Sequence, residues 1–399
     1  MPQRNSNIAN LKAGYLFPQI AKRKREFAAL NPQAKIISLG VGNTTEAVLP
    51  HICKALEDGA KRLGKTETYS GYTDEGFEEL RARLNKVFYN GMFALDEIFI
   101  SDGAKCDIGR IQMLFGAGVN TAVQDPSYPV YVDGSVLAGA GRSWNGAGYD
   151  GIYYMPCTQD NDYFPDLKNV PHNCLIYFCS PNNPTGACAT KDQLKTLVCF
   201  ANKTKSVIIY DAAYSEFIRD PALPKSIYQI DGAETCAIEI NSFSKPAGFT
   251  GVRLGWSIVP KALKYSSGEC INSDWARINS TIFNGASNIA QWGAIAALDE
   301  AGLAEIRQLT DFYLGNAKLI RSVLQEKNII CIGGENSPYI WAHFPGKDSW
   351  DVFTDILEKC HVVTTPGSGF GSAGQSFIRF SAFGHRADVE EACERLKRF

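Results

Sequence analysis

The sequence predicts an α/β protein of two domains, a larger one around a mostly parallel β-sheet and a smaller α/β one assembled from both ends of the chain. Three observations lead there. At 399 residues the chain is long for a single hydrophobic core. Between about residue 95 and residue 260, short apolar runs recur, each closed by polar, glycine or proline residues, with helix-compatible stretches between several of them. After about residue 287 the pattern changes to long helical segments followed by two more strand candidates. The division expected is residues 1–46 and 287–399 for the small domain and 47–286 for the large one.

Taken in order, residues 97–100, 121–124, 175–178, 207–210 and 237–240 are runs too short for helices and too apolar for loops, and they read as buried strands. Residues 190–202 form an amphipathic helix opened by Thr190 as N-cap, ahead of Asp192 and Gln193. Strands that alternate with helices imply parallel pairing. Residues 291–325 carry long helical patterns, 339–344 and 377–383 are strands, and the Gly/Ser-rich stretch 366–374 is a turn.

Lys plus Arg total 40 against 42 for Asp plus Glu, which argues against a nucleic-acid or membrane-surface partner. The basic run from Lys22 to Arg25 fits the solvated face of a helix. Twelve cysteines without an N-terminal apolar leader are expected to be reduced and the protein cytoplasmic. No CxxC pair occurs, and His51, His172, His343, His361 and His385 are far apart, so no metal is expected. No apolar run reaches the roughly 18 residues of a membrane span.

In a parallel sheet, ligands bind outside the carboxyl ends of the strands, and four segments there are unusual. Ser180-Pro181-Asn182-Asn183-Pro184-Thr185-Gly186 is a rigid turn presenting Asn side chains, although alone it is also ordinary loop punctuation. Tyr210-Asp211-Ala212-Ala213-Tyr214 puts an acid directly after an apolar strand, equally readable as a helix cap. Ser242-Phe243-Ser244-Lys245, followed eight residues later by Arg253, combines an amine with hydroxyls and positive charge. Those are parts for an aldehyde adduct beside a phosphate dianion. Phe377-Ile378-Arg379-Phe380-Ser381 places one arginine in an apolar strand, suited to a structural salt bridge or to a carboxylate-binding fork.

The string from Ser242 to Gly255 resembles the lysine motif of the class I/II aminotransferases, a fold-type I group of pyridoxal-phosphate enzymes, and the other segments follow in that family's order from Gly14 to Phe383. The resemblance implies a seven-stranded sheet in the large domain, pyridoxal 5′-phosphate as cofactor, and a homodimer whose active sites share residues across the interface. It makes Lys245 the Schiff-base lysine and proton shuttle, and Asp211 the partner of the pyridine nitrogen. Asn183 and Tyr214 would hydrogen-bond the phenolic oxygen, and Tyr128 would stack on the ring. The phosphate would be held by the backbone of Ala104 and Lys105 with Ser242, Ser244 and Arg253, together with Tyr72 of the neighbouring subunit, and the substrate α-carboxylate by Arg379.

A finer resemblance lies in Lys12-Ala13-Gly14-Tyr15-Leu16-Phe17-Pro18, Ser101-Asp102-Gly103-Ala104-Lys105-Cys106-Asp107, Phe283-Asn284-Gly285-Ala286-Ser287-Asn288 and Gly248-Phe249-Thr250-Gly251. Together these are similar to the LL-diaminopimelate aminotransferase subfamily, which exchanges an amino group between LL-2,6-diaminopimelate and 2-oxoglutarate in lysine and cell-wall precursor synthesis. It implies that Tyr15, Gly40, Tyr72, Glu75, Lys105, Tyr128, Asn183, Asn284 and Arg379 line the substrate site, with Tyr72, Glu75 and Asn284 contributed by the neighbouring subunit. The stretch Gly71-Tyr72-Thr73-Asp74-Glu75-Gly76 is one residue shorter than that pattern, which leaves Asp74 as an alternative to Glu75 for the distal ammonium. Other readings of the same fold are an aspartate or aromatic aminotransferase, a pyridoxal-phosphate lyase, or a non-enzymatic regulatory module.

Overall fold

The computed structural model describes residues 1–12, 16–146 and 148–399. Its large domain is built on seven strands in the spatial order Ile98–Ser101, Gly255–Ile258, Ala237–Ser242, Val207–Asp211, Cys174–Cys179, Asn120–Asp125 and Ile152–Pro156. Gly255–Ile258 runs antiparallel to both its neighbours, and the remaining pairs are parallel. Helices cover both faces, which is why Cys174–Cys179 and Ala237–Ser242 are buried at every position, the first reading as a continuous apolar run. All five strands expected in this domain are present, each shifted or extended by a residue or two at its ends. The expectation had missed Ile152–Pro156, an edge strand with half-buried tyrosines, and Gly255–Ile258, four residues that begin at a glycine.

Thr190 caps the helix Lys191–Thr204, its hydroxyl accepting from the Gln193 amide at 3.2 Å while Gln193 Oε1 accepts from the Thr190 amide at 2.8 Å. This helix carries the chain from one carboxyl end back to the start of the next strand. As a result the turns after Cys179, Asp211 and Ser242 open on the same side of the sheet.

The small domain contains an antiparallel sheet ordered Thr365–Pro366, Phe377–Ser381, Tyr339–His343, Cys331–Gly333, and a parallel pair joining Ile37–Ser38 to Val362–Val363. Leu16, Ile20, Ile37 and Leu39 enter the same core as Trp341, Phe353 and Phe380, so both ends of the chain build it. The helix Ser6–Asn10 lies instead on the large domain, where Asn7 Nδ2 donates to the Leu137 carbonyl at 3.2 Å.

The expected helical stretch 291–325 is two helices, Asn288–Ala297 and Glu300–Glu326, broken where Asp299 turns its carboxylate onto the Gly302 amide at 2.9 Å. The first packs Ala290, Ala294 and Ala297 into the large domain's core. The second begins there with Ile306 and ends in the small domain with Ala317, Ile320 and Val323. One continuous helix thus contributes side chains to both cores. The basic run Lys22 to Arg25 lies on the solvated side of the helix Leu16–Leu30, whose buried residues are Leu16 and Ile20. The twelve cysteines are all unpaired. No helix among the described residues is long and apolar enough to cross a membrane.

Candidate active site

A cavity of about 340 Å³ opens between the carboxyl ends of the sheet and the small domain. Lys245 stands at its centre, three residues beyond the strand Ala237–Ser242, with Nζ donating to the Gly42 carbonyl from the N-terminal segment. Burial, and then the charges of Arg379, Arg253 and Lys105, push its amine down to about 7. An amine of that kind is neutral for much of its time at physiological pH and can act as nucleophile or base.

One wall is an anion cup. The helix Ala104–Ile111 begins at Gly103, whose φ of +120° few other residues adopt, and it presents its first amides to the cavity. The Arg253 guanidinium lies directly against Gly103, where a side chain would displace it. Arg253 also donates to Ser244 Oγ at 3.2 Å, and Ser242 Oγ accepts from the Ser244 amide at 3.0 Å. Helix dipole, guanidinium and two hydroxyls thus converge where a phosphate dianion can sit.

Opposite the cup, Asp211 ends its strand as a buried carboxylate, one oxygen accepting from Tyr131 Oη at 2.6 Å and the other from the Ala213 amide at 3.1 Å. Burial raises its pKa, and those two donors oppose the rise. No Lys, Arg or His among the described residues pairs with it, so a cation has to come from a ligand. A protonated ring nitrogen meets that requirement.

Arg379, 1% exposed, shows the converse. It donates to Asn183 Oδ1 and to the Gly40 carbonyl, each at 2.6 Å, and its Nε has no partner. No carboxylate pairs with it among the described residues. An arginine buried this way, held in place by neutral oxygens, is ready for a carboxylate from outside. Because Asn183 gives its amide oxygen to Arg379, its NH2 end is the one left for a ligand.

Of the residues expected at the site, Ala104, Lys105, Tyr128, Asn183, Asp211, Tyr214, Ser242, Ser244, Lys245, Arg253 and Arg379 line this one cavity. Gly40 stands behind it, its carbonyl taking hydrogen bonds from Arg379 and from Thr365 Oγ1. Tyr72, Glu75 and Asn284 do not reach the cavity of their own chain. Tyr72 is 85% exposed, Asn284 is exposed with φ +62°, and Glu75 pairs with Arg81 at 2.8 Å. Tyr15 lies outside the described residues. Sequence reasoning missed Tyr131, which lies in the helix Val130–Ala138 just after Tyr128. It also missed Tyr339, for which the sequence carried no signal.

The family model for aminotransferase class I and II matches residues 34–396. The LL-diaminopimelate aminotransferase of Protochlamydia amoebophila (strain UWE25) is 48% identical over 100% of this chain and 97% of the relative. The chloroplastic LL-diaminopimelate aminotransferase of Arabidopsis thaliana is 51% identical over 99% of this chain and 86% of its own length. The solved structure of L,L-diaminopimelate aminotransferase from Chlamydomonas reinhardtii superimposes with a TM-score of 0.96 at 54% identity, covering 100% of this chain and 98% of that one. With the buried low-pKa lysine, the anion cup and the waiting arginine in the family's order along the chain, this protein belongs to the class I and II aminotransferase family.

Proposed function

We propose that the protein transfers an amino group between LL-2,6-diaminopimelate and 2-oxoglutarate, in the biosynthetic direction forming the diamine from tetrahydrodipicolinate and glutamate, with pyridoxal 5′-phosphate as cofactor and as a cytoplasmic homodimer. The observation that carries the substrate is likeness over essentially the whole chain, at about half identity, to relatives bearing that enzyme's name. The cofactor is supported by the fit of the cavity, which offers a neutral amine, a phosphate cup and a cation-seeking carboxylate.

When bound, pyridoxal phosphate supplies an aldehyde that condenses with amines and a ring that accepts the electron pair left at an amino acid's α-carbon. Lys245 would hold the aldehyde and would serve as the base that takes the α-proton and gives it back. Asp211, whose two oxygens accept from Tyr131 and the Ala213 amide, would hold the proton on the ring nitrogen. The Ala104 and Lys105 amides, Ser242, Ser244 and Arg253 anchor the phosphate. Asn183 and Tyr214 would donate to the phenolic oxygen, Tyr128 would cover one face of the ring, and Arg379 would grip the α-carboxylate.

Diaminopimelate ends in an ammonium and a carboxylate, glutamate in a carboxylate only. Lys105, 5.7 Å from the Tyr128 ring centre, is the cation for either tail. For the ammonium, Asp74 of the neighbouring subunit is the better acceptor, since Glu75 is engaged by Arg81 and Asp74 is exposed. An amino-donor screen of purified protein with 2-oxoglutarate tests the whole. Diaminopimelate and glutamate should lead, and Asp74→Asn should slow diaminopimelate about 30-fold or more while sparing glutamate, with Glu75→Gln milder. Faster turnover of aspartate or an aromatic amino acid would sink the substrate assignment.

A further inference from the structure

Tyr339 stands where the two domains meet at the cavity. Its strand pairs with the one that carries Arg379, Tyr339 lying opposite Ser381, and the side chain is 1% exposed. Two contacts involve different parts of it. The hydroxyl is 2.9 Å from the Tyr214 hydroxyl, and the ring face takes the Arg379 guanidinium, whose carbon is 4.4 Å from the ring centre. Gly42 closes over the hydroxyl, since a β-carbon there would approach it to 2.5 Å, and the Gly42 carbonyl is the one that Lys245 holds.

In a hydroxyl pair one oxygen donates and the other keeps its own proton for something else. Burial raises the pKa of both tyrosines. After burial, the Arg379 charge is the next influence on Tyr339 and draws it back down, whereas for Tyr214 Arg379 is the weakest of the influences. The Arg379 charge seated on its ring favours Tyr339 as the donor of the pair, which leaves the Tyr214 proton to point elsewhere. A hydroxyl that accepts one hydrogen bond donates the next more strongly.

We propose that Tyr339 is a positioning residue with two tasks: its hydroxyl donates to Tyr214, strengthening Tyr214 as a donor to the cofactor, and its ring carries Arg379 in position for the substrate carboxylate. One side chain of the small domain then sets both how the cofactor is protonated and where the substrate is held. The inference rests on the pyridoxal-phosphate reading above.

The test uses cofactor-loaded protein and two readouts that do not depend on turnover. One is the pH midpoint of the visible absorption change, and the other is the affinity for glutarate, an unreactive dicarboxylate that probes Arg379. A donor at the phenolic oxygen favours negative charge there, so Tyr339→Phe should raise the midpoint by about half a pH unit. The same variant keeps the ring and should bind glutarate within about twofold of wild type. Tyr339→Leu and Tyr339→Met lose the ring and should weaken glutarate about tenfold. A midpoint in Tyr339→Phe equal to wild type overturns the first task, and wild-type glutarate affinity in either ring-less variant overturns the second. If neither ring-less variant folds, Tyr339→Phe still decides both tasks, since glutarate affinity in it weakened well beyond twofold would overturn the second. Failure of the cofactor reading would look different: wild-type protein without a visible band, or a band that survives in Lys245→Ala.

Discussion

A buried amine among cations gives up its proton easily, and at Lys245 that effect brings the pKa down to about 7. Only the neutral amine attacks an aldehyde. Capture of added pyridoxal phosphate by cofactor-free protein should therefore speed up as pH rises through about 7, by about tenfold between pH 6 and pH 8. Stopped-flow absorbance measures it directly, and a rate still climbing steeply between pH 9 and pH 10 would mean that the amine is not perturbed. Lys245→Ala should capture no cofactor covalently at any pH. The chemistry of this residue was legible from its neighbours in sequence, Ser242, Ser244 and Arg253. The size of the shift was not, because two of its three charged neighbours, Arg379 and Lys105, come from distant parts of the chain.

At the scale of one element, the strand Ala237–Ser242 delivers Lys245 and carries Glu239, buried at 1% exposure on the opposite side of the sheet. Glu239 accepts from Tyr89 Oη at 2.8 Å, Ser226 Oγ at 2.6 Å and the Ile227 amide at 3.1 Å, and burial nonetheless pushes it up to about 7. Because the folded pKa lies above the unfolded value of 4.5, the native state holds an extra proton between those values. Its contribution to stability is complete below pH 4.5 and is lost as pH rises to about 7, on the order of 3 kcal/mol across the window. In Glu239→Gln the fall in Tm from pH 5 to pH 7 should flatten relative to wild type. Equal slopes in a calorimetric pH series would show that Glu239 stays charged. The run 237–240 announced the strand, yet an acid inside it had no reading until Tyr89 and Ser226, far along the chain, were found against it.

For the whole molecule, the question is what completes the site. Tyr72 and Asn284 are exposed and away from the cavity of their own chain, although both were expected at the site. In a symmetric dimer each would serve the neighbour. Mixing Lys245→Ala protein with Asn284→Ala or Tyr72→Phe protein after dissociation should restore about a quarter of wild-type activity, because half the dimers then pair the two variants and contain one intact site. An active monomer in sedimentation velocity, or no recovery on mixing, would exclude shared sites.

Local order along the chain was enough to determine the α/β class, five strands of the large sheet and the Thr190 cap, and the resemblance to the class I/II aminotransferases implied most of the residues that meet at the cavity. Strand runs, turn residues and the spacing from Ser242 to Arg253 are properties of neighbours in sequence. Tertiary structure alone decided the rest. It joined Arg379 to Asn183 and Gly40, Tyr131 to Asp211 and Tyr339 to Tyr214, pairs separated by dozens to hundreds of residues. It also broke the 291–325 pattern at Asp299 and ran one continuous helix from one core into the other. The physical reason is common to all of these. Propensity and periodicity act over a few residues, whereas burial, charge and donor strength depend on which distant atoms the packed fold brings within a few ångströms.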